Sequence, residues 1–185
     1  MRRVIEYTLV SADGIFSDPK LSGWMDHRDD AYMRDGLGLL TACEAMLFGR
    51  RTYESFAKLY SGRVHPWAER LNGMRKYVFS STLASAEWSN TTVVRGDVAA
   101  EVTKLKQQQG GDLLLFGHGQ LGETLLRAGL IDVLDLSVYP VVLGSGMPFF
   151  REGQHTGLKL VAVKSFSRIV KLSYEPQRGT GAGRS

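Results

Sequence analysis

Three observations predict an α/β fold, a mostly parallel twisted sheet with an antiparallel C-terminal edge. First, short apolar segments of strand length alternate with longer amphipathic segments through the first 130 residues. Second, three of those apolar segments run straight into Gly- or Ser-rich turns, at Phe48-Gly49, Phe79-Ser80 and Phe116-Gly117. Third, the closing segments Leu158–Phe166 and Arg168–Tyr174 follow one another with no helix between them and read as an antiparallel pair.

Arg3–Val10 reads as the first strand, with Val4, Tyr7 and Leu9 among mixed neighbours, and Ser11-Ala12-Asp13-Gly14 breaks it. A loop containing Gly and Pro then runs to about Trp24. Asp26–Cys43 has the spacing of a helix, through Tyr32, Met33, Leu37, Leu40 and Ala42, although Gly36 and Gly38 oppose it. Ala45–Phe48 is a short strand ending at Gly49. Thr52–Tyr60 and Pro66–Met74 read as helices, the second with Pro66 in its first turn. Lys76–Phe79 and Thr91–Val94 are strands. Asp97 suits the N-cap of a helix through Gln109, closed by Gly110-Gly111. Leu113–Phe116 is a wholly apolar buried strand, followed by a helix over Gln120–Ala128 and a strand over Val133–Val142. Residues 1–175 are expected to form one domain. Residues 176–185, with three glycines and no large apolar side chain, are expected to be a disordered tail.

Composition narrows the function classes. The chain has 185 residues and a single cysteine, Cys43, which excludes an intramolecular disulfide framework and a clustered-cysteine zinc site. No apolar run reaches the roughly 18 residues of a membrane span, and Glu6 stands in a first segment that does not read as a signal peptide. A soluble, cytoplasmic protein without a membrane partner is expected. The net charge of +4 is unevenly placed: residues 49–76 hold seven basic and two acidic side chains, whereas residues 1–48 hold five and eight. A nucleic-acid footprint would be more continuous, with interleaved aromatics, so no nucleic-acid partner is expected. A small anionic ligand near residues 49–76 is the sharper reading; a solvated basic face is the plainer one.

Three strand ends carry turn chemistry suited to phosphate: Gly49-Arg50-Arg51-Thr52, Ser80-Ser81-Thr82 and Gly117-His118-Gly119-Gln120. Free N–H groups at a helix start attract anions, and guanidiniums clamp phosphate oxygens. In parallel α/β sheets, ligands bind outside the carboxyl ends of the strands. Gly117-His118-Gly119-Gln120-Leu121-Gly122 nearly matches a dinucleotide fingerprint, but the acidic residue required about twenty positions on is missing. Asp135 falls inside its own strand, so a standard Rossmann assignment is rejected; no Walker lysine pattern occurs either.

These turns occur in order with further blocks: Ser11-Ala12-Asp13-Gly14-Ile15, Leu47–Glu54, Tyr77–Leu83, Leu115–Leu121, and Leu130-Ile131-Asp132 leading to Pro140–Gly146. Together they resemble the dihydrofolate reductase superfamily, in the branch similar to the reductase domain of riboflavin biosynthesis (RibD C-terminal-like). The resemblance implies a three-layer dihydrofolate-reductase-like fold, NADPH as cofactor, hydride transfer and a homodimer. It implies that Gly49, Arg50, Arg51 and Thr52 hold the cofactor phosphates. Ser80, Ser81 and Thr82 would lie near the adenosine 2′-phosphate, with Arg50 or Arg51 as cationic partner. Arg95 and Gly96 would border the adenine. Gly117, His118, Gly119, Gln120 and Leu121 would pack on the pyrophosphate and nicotinamide ribose, and Val10, Ala12 and Ile15 would lie near the nicotinamide. The chain departs from the family in two places. The first-helix carboxylate that pairs with a pteridine falls at Asp29 by one register and at Met33 by another. The late turn is Gly-His-Gly where the family has Gly-Gly.

The catalytic candidate is Asp13, which could bind a substrate hydroxyl, relay a proton through water, or simply form an Asx turn with Gly14. Ser137 and Tyr139 share a strand face and are read as substrate-pocket residues, with a core-edge tyrosine as the plainer alternative. Trp24 is read as a mobile lid or a loop anchor. Asp26, Asp29, Asp30 and Asp35 read as the solvated face of the first helix, Cys43 as core, and Pro148-Phe149-Phe150 as packing under the sheet. His118 borders the cofactor by resemblance; as a lone glycine-flanked histidine it reads as exposed. The expected function is NADPH-dependent hydride transfer to a small heteroaromatic substrate, pterin- or pyrimidine-like. The alternative is a non-catalytic nucleotide-binding or regulatory module on the same fold.

Overall fold

The structure, a computed structural model, describes residues 1–17, 23–25, 29–153 and 155–177. The first half comprises β1 (Val4–Ser11), β2 (Ile15–Ser17), α1 (Asp30–Ala42), β3 (Cys43–Gly49), α2 (Arg50–Tyr60), α3 (Pro66–Gly73), β4 (Arg75–Phe79) and β5 (Thr91–Val94). The second comprises α4 (Val98–Gln107), β6 (Asp112–Phe116), α5 (Gly119–Arg127), β7 (Val133–Tyr139), β8 (Met147–Pro148), β9 (Gly157–Ser165) and β10 (Val170–Gln177).

Eight strands make one sheet in the order β5-β4-β3-β6-β1-β7-β10-β9. Six are parallel, and β10 pairs antiparallel with both β7 and β9, as the alternation of elements requires. Alternate β1 side chains serve opposite layers. Ile5 and Tyr7 pack with Tyr32 and Leu40 of α1, Tyr53 of α2 and Leu71 of α3. Val4 joins Leu113, Leu115, Val102 of α4, and Leu121 and Leu125 of α5 on the other face. The result is helix, sheet, helix. Among the described residues no helix is long and apolar enough to cross a membrane.

Several boundaries differ from expectation. α1 begins at Asp30, because the Asp29 carboxylate accepts the Tyr32 amide at 2.7 Å and caps the helix there; Asp26 lies outside the described residues. Gly36 does not break α1, since Trp67 lies against it where a Cβ would sit. β7 stops at Tyr139, before Val142, because Pro140 has no N–H for the ladder. β2 and β8 form a separate antiparallel pair that the sequence reading lacked. β10 extends to Gln177 through Pro176↔Leu158 and Gln177↔Gly157, so the first two residues of the expected tail are strand. Residues 178–185 lie outside the described residues. Asp97 caps α4 as expected, accepting the Ala100 amide at 2.7 Å.

Candidate active site

Because β5, β4, β3, β6, β1 and β7 are parallel neighbours, their carboxyl ends open on one edge of the sheet. The sequence-selected residues therefore fall into one row. Arg95 and Gly96 come first, then Ser80–Thr82, Gly49–Thr52, Gly117–Leu121, Val10–Ile15 and Ser137–Tyr139. That edge, outside the carboxyl ends of the strands, is where ligands bind in open parallel α/β sheets.

Two helix starts stand side by side near its centre. A Cβ on Gly49 would lie 3.8 Å from Leu121 Cβ, and one on Gly117 would lie 3.8 Å from Thr52 Oγ1. Neither α2 nor α5 has a side-chain cap at its N-terminus, and neither has an acidic residue in its first turn. Their first amides are thus free to receive an acceptor, in a field that favours an anion. Gly117 and Gly119 take φ of 74° and 57°, which only glycine adopts readily. Every peptide bond among the described residues is trans, including Gly117-His118. Gly49 itself is ordinary: its φ is −77° and a Cβ would meet only normal contact, so close approach of a ligand is not what glycine provides there.

The hydroxyl turn and the first arginine meet as expected. Arg50 Nη1 donates to Thr82 Oγ1 at 2.8 Å while its Nε donates to Glu54 at 2.7 Å. Ser80 Oγ accepts the amides of Thr82 and Leu83, shaping the turn, and Ser81 is exposed at its tip. Arg95 holds the same turn from beneath, donating to the carbonyls of Ser81 at 3.0 Å and Leu83 at 2.8 Å. Arg51 is exposed at the start of α2. The basic stretch 49–76 is not one surface. Arg70 donates to the carbonyls of Leu40 and Cys43, and buried Lys76 donates to those of Met74 and Ser89.

His118 is buried, contrary to the exposed reading. Its ring turns back beneath α5, where Nδ1 lies 2.6 Å from Glu6 Oε1 and the ring stacks on Phe149 at 4.1 Å. Glu6, in the middle of the central strand, is completely buried, and burial raises its carboxyl pKa. Gly122 makes room for the pair: a Cβ there would sit 2.6 Å from Nδ1 and 2.8 Å from Oε1. The sequence reading missed Glu6 as a site residue.

Toward β1 and β7 the candidates divide. Val10 points into a core cluster with Leu134, Leu136 and Phe149, and Ile15 is buried against β8, so neither side chain faces the site; Ala12 is exposed. Asp13 ties two loops together. Its carboxylate accepts Ser11 Oγ at 2.6 Å and the amides of Leu143 at 3.1 Å and Gly144 at 2.8 Å, which hold its pKa down to about 2. An anion so held does not offer a proton at neutral pH.

Ser137 and Tyr139 are fully buried on the α1 side. Tyr7 and Tyr32 meet hydroxyl to hydroxyl at 2.5 Å, and Ser137 Oγ donates to Tyr7 at 3.4 Å. Burial pushes the Tyr7 hydroxyl up to about 12. Trp24 is buried and packs edge-on to Tyr139 at 5.5 Å; the loop residues 18–22 and 26–28 around it lie outside the described residues. Of the carboxylates read as a solvated face, Asp30 is exposed as expected, whereas Asp29 and Asp35 are engaged by other elements. Asp29 also accepts Ser167 N and Oγ, and Asp35 pairs with Lys164 and Lys171. Neither register for a pteridine carboxylate holds: the residue α1 turns to the sheet is Tyr32. Cys43 is core, its thiol pushed up to about 11 by burial.

The family model of the RibD C-terminal domain matches residues 2–172. The chain belongs to the RibD C-terminal domain family. It is 30% identical over 183 residues to the uncharacterized protein YyaP of Bacillus subtilis (strain 168), covering 94% of each chain. Among solved structures, this RibD C-terminal domain is similar to the Thermotoga maritima diaminohydroxyphosphoribosylaminopyrimidine deaminase/5-amino-6-(5-phosphoribosylamino)uracil reductase. The TM-score is 0.68 at 16% identity, over 95% of this chain and 57% of that one. It is also similar to the Saccharomyces cerevisiae riboflavin biosynthesis reductase Rib7, with a TM-score of 0.65 at 12% identity over 95% and 90% of the two chains. At such identities the likeness shows the dihydrofolate-reductase-like fold alone.

Proposed function

We propose that this RibD C-terminal domain protein is an NADPH-dependent reductase of a small heteroaromatic substrate, pyrimidine- or pterin-like. The observation that carries the reading is the pair of adjacent, uncapped helix starts flanked by the Arg50–Thr82 contact. These residues fit a dinucleotide phosphate. The first amides of α2 and α5 would receive the pyrophosphate, and Arg50, Arg51 and the hydroxyls of Ser81 and Thr82 would receive the 2′-phosphate. Arg95 and Gly96 lie at the end of the row that an adenine would reach, and Gln120 and Leu121 lie in the first turn beside the pyrophosphate. When bound, NADPH supplies the hydride. The protein's part is to orient that donor along the row and to keep the acceptor against the β1–β7 end; Ser137 and Tyr139, fully buried, would support that end without touching the acceptor.

Because Asp29 and Asp35 are committed to Ser167 and to Lys164 and Lys171, neither carboxylate is free for the acceptor, and Asp30 lies exposed in the first turn of α1. Recognition by hydroxyl and amide contacts suits a neutral pyrimidine better than a cationic pterin ring. The proton that completes reduction would come from ordered water at the open edge.

One observation favours the second reading, a nucleotide-binding module without turnover: Asp13 is held as an anion and is not poised to give a proton. Fluorescence titration with NADPH and NADH, followed by a panel of pterins, lumazines and pyrimidines, decides between them. NADPH binding tighter than NADH, with one panel member oxidising the cofactor, supports the reductase. Tight NADPH binding with an inert panel supports the module. Equal affinity for both dinucleotides counts against the 2′-phosphate assignment. Arg51→Ala should weaken NADPH more than NADH.

A further inference from the structure

The turn that opens α5 is flexible by composition and rigid by contact. Gly117 and Gly119 flank His118, whose own φ and ψ, −100° and −91°, are not helical. Such a turn has many alternative conformations to lose. Two backbone bonds help to define it, from Gly117 N to the Tyr7 carbonyl and from Gly122 N to the His118 carbonyl, both 3.0 Å. Its side-chain anchor is His118, which reaches down through the layer to Glu6. Glu6 stands in β1, hydrogen-bonded on both sides by β6 and β7, with its main chain opposite Leu115 and Leu134. Among the described residues, Phe149 and Phe16 lie against the ring and Thr8 Oγ1 is 3.4 Å from Oε1. Glu123, the acidic residue of α5, is taken by Arg127 and Arg151.

A carboxylate at this depth is costly unless paired, and its second oxygen has no partner among the described residues. An apolar residue would stabilise this layer more simply. We propose that Glu6 is a positioning residue for the dinucleotide: acting through His118, it fixes the Gly117–Gly119 turn so that the first amides of α5 face the pyrophosphate. The inference rests on the reading of the site given above. Glu6 touches no part of the cofactor; its effect is to pre-order the turn, so its loss appears as weaker binding of any ligand that uses α5. The adenosine end of the site, on Arg50 and Thr82, lies beyond its reach.

The test uses the full chain and compares two ligands, NADPH and adenosine 2′-monophosphate, which lacks the pyrophosphate and the nicotinamide. Glu6→Leu should weaken NADPH by about tenfold, the cost of ordering one freed backbone residue, and leave adenosine 2′-monophosphate unchanged. Glu6→Gln, whose amide still bonds the ring, should restore NADPH affinity to within about twofold. Should Glu6→Leu fail to fold, Gly122→Ala gives the same comparison by wedging the pair apart. Equal losses for the two ligands would reveal a general structural role and overturn the proposal, as would NADPH affinity untouched in both Glu6→Leu and Gly122→Ala. A Glu6→Gln variant as weak as Glu6→Leu also overturns it. If the native protein binds neither ligand, the reading of the site itself fails, and this inference with it.

Discussion

Arg50 and Thr82, 32 residues apart in the chain, are joined by a 2.8 Å hydrogen bond from guanidinium to hydroxyl. The contact links the start of α2 to the turn after β4, and it presets a cation and a hydroxyl where a phosphomonoester would sit. Arg50→Ala should weaken NADPH by about tenfold, the lower range for a charge-assisted bond at a part-exposed site, while NADH stays within about twofold. Parallel titrations measure both. Equal losses would place Arg50 at the pyrophosphate instead.

Asp13 carries a pH signature. Its carboxyl sits at about 2 in the folded chain against an ordinary 3.8. Between those values the unfolded chain binds more protons, so this contribution to stability is complete above about pH 4 and disappears as pH falls through about 2. Asp13→Asn should therefore lower the melting temperature by a constant amount at neutral pH, and the gap to the native protein should close in acid. If reductase activity is found, the same variant should leave its neutral-pH rate profile in place.

Two glycines of α1 predict opposite outcomes. A Cβ on Gly36 would lie 2.8 Å from the Trp67 ring, whereas one on Gly38 meets nothing within 4 Å. Gly38→Ala should stabilise the protein by about 0.5–1 kcal/mol through helix propensity and a less mobile unfolded chain. Gly36→Ala should destabilise it by about 1–2 kcal/mol, since overpacking exceeds that gain. Denaturant melts of the two variants distinguish them by sign alone.

The buried pair Tyr7 and Tyr32 should behave non-additively. Removing either hydroxyl leaves the other short of a partner and should cost about 1–2 kcal/mol. The double Phe variant should cost less than the two single losses together, a coupling of about 0.5–1 kcal/mol in a double-mutant cycle. Strict additivity would mean that Ser137 and Tyr139 satisfy each hydroxyl independently.

Much of the phosphate end was legible because its chemistry is local: a strand, a glycine or serine, then a helix start, all within a few residues. Strand order carried the rest, since parallel pairing brings Arg95, Ser80, Gly49 and Gly117 to one edge. What could not be read was pairing across the sheet. Glu6 reads as an ordinary polar interruption of an alternating strand, and its partner is 112 residues away. The only local hint was Gly122, which closes the near-match to a dinucleotide fingerprint and in fact leaves room for that pair. β8 spans two residues and carries no periodicity to detect. Asp35 misled for the same reason: Lys164 and Lys171 meet it only once β9 and β10 are folded.

The placement of β1 has a consequence for synthesis. Its neighbours pair with it from Leu113 and Val133 onward, so the strand emerges more than a hundred residues before either is available. At about 5–20 residues per second, translation leaves it unpaired on the order of ten seconds. An exposed segment rich in Val, Ile, Tyr and Leu is an aggregation hazard over such a wait. A charged residue in the middle of such a segment disfavours its self-association before β6 and β7 enclose it. The charge that burdens the finished core is an asset to the unfinished chain.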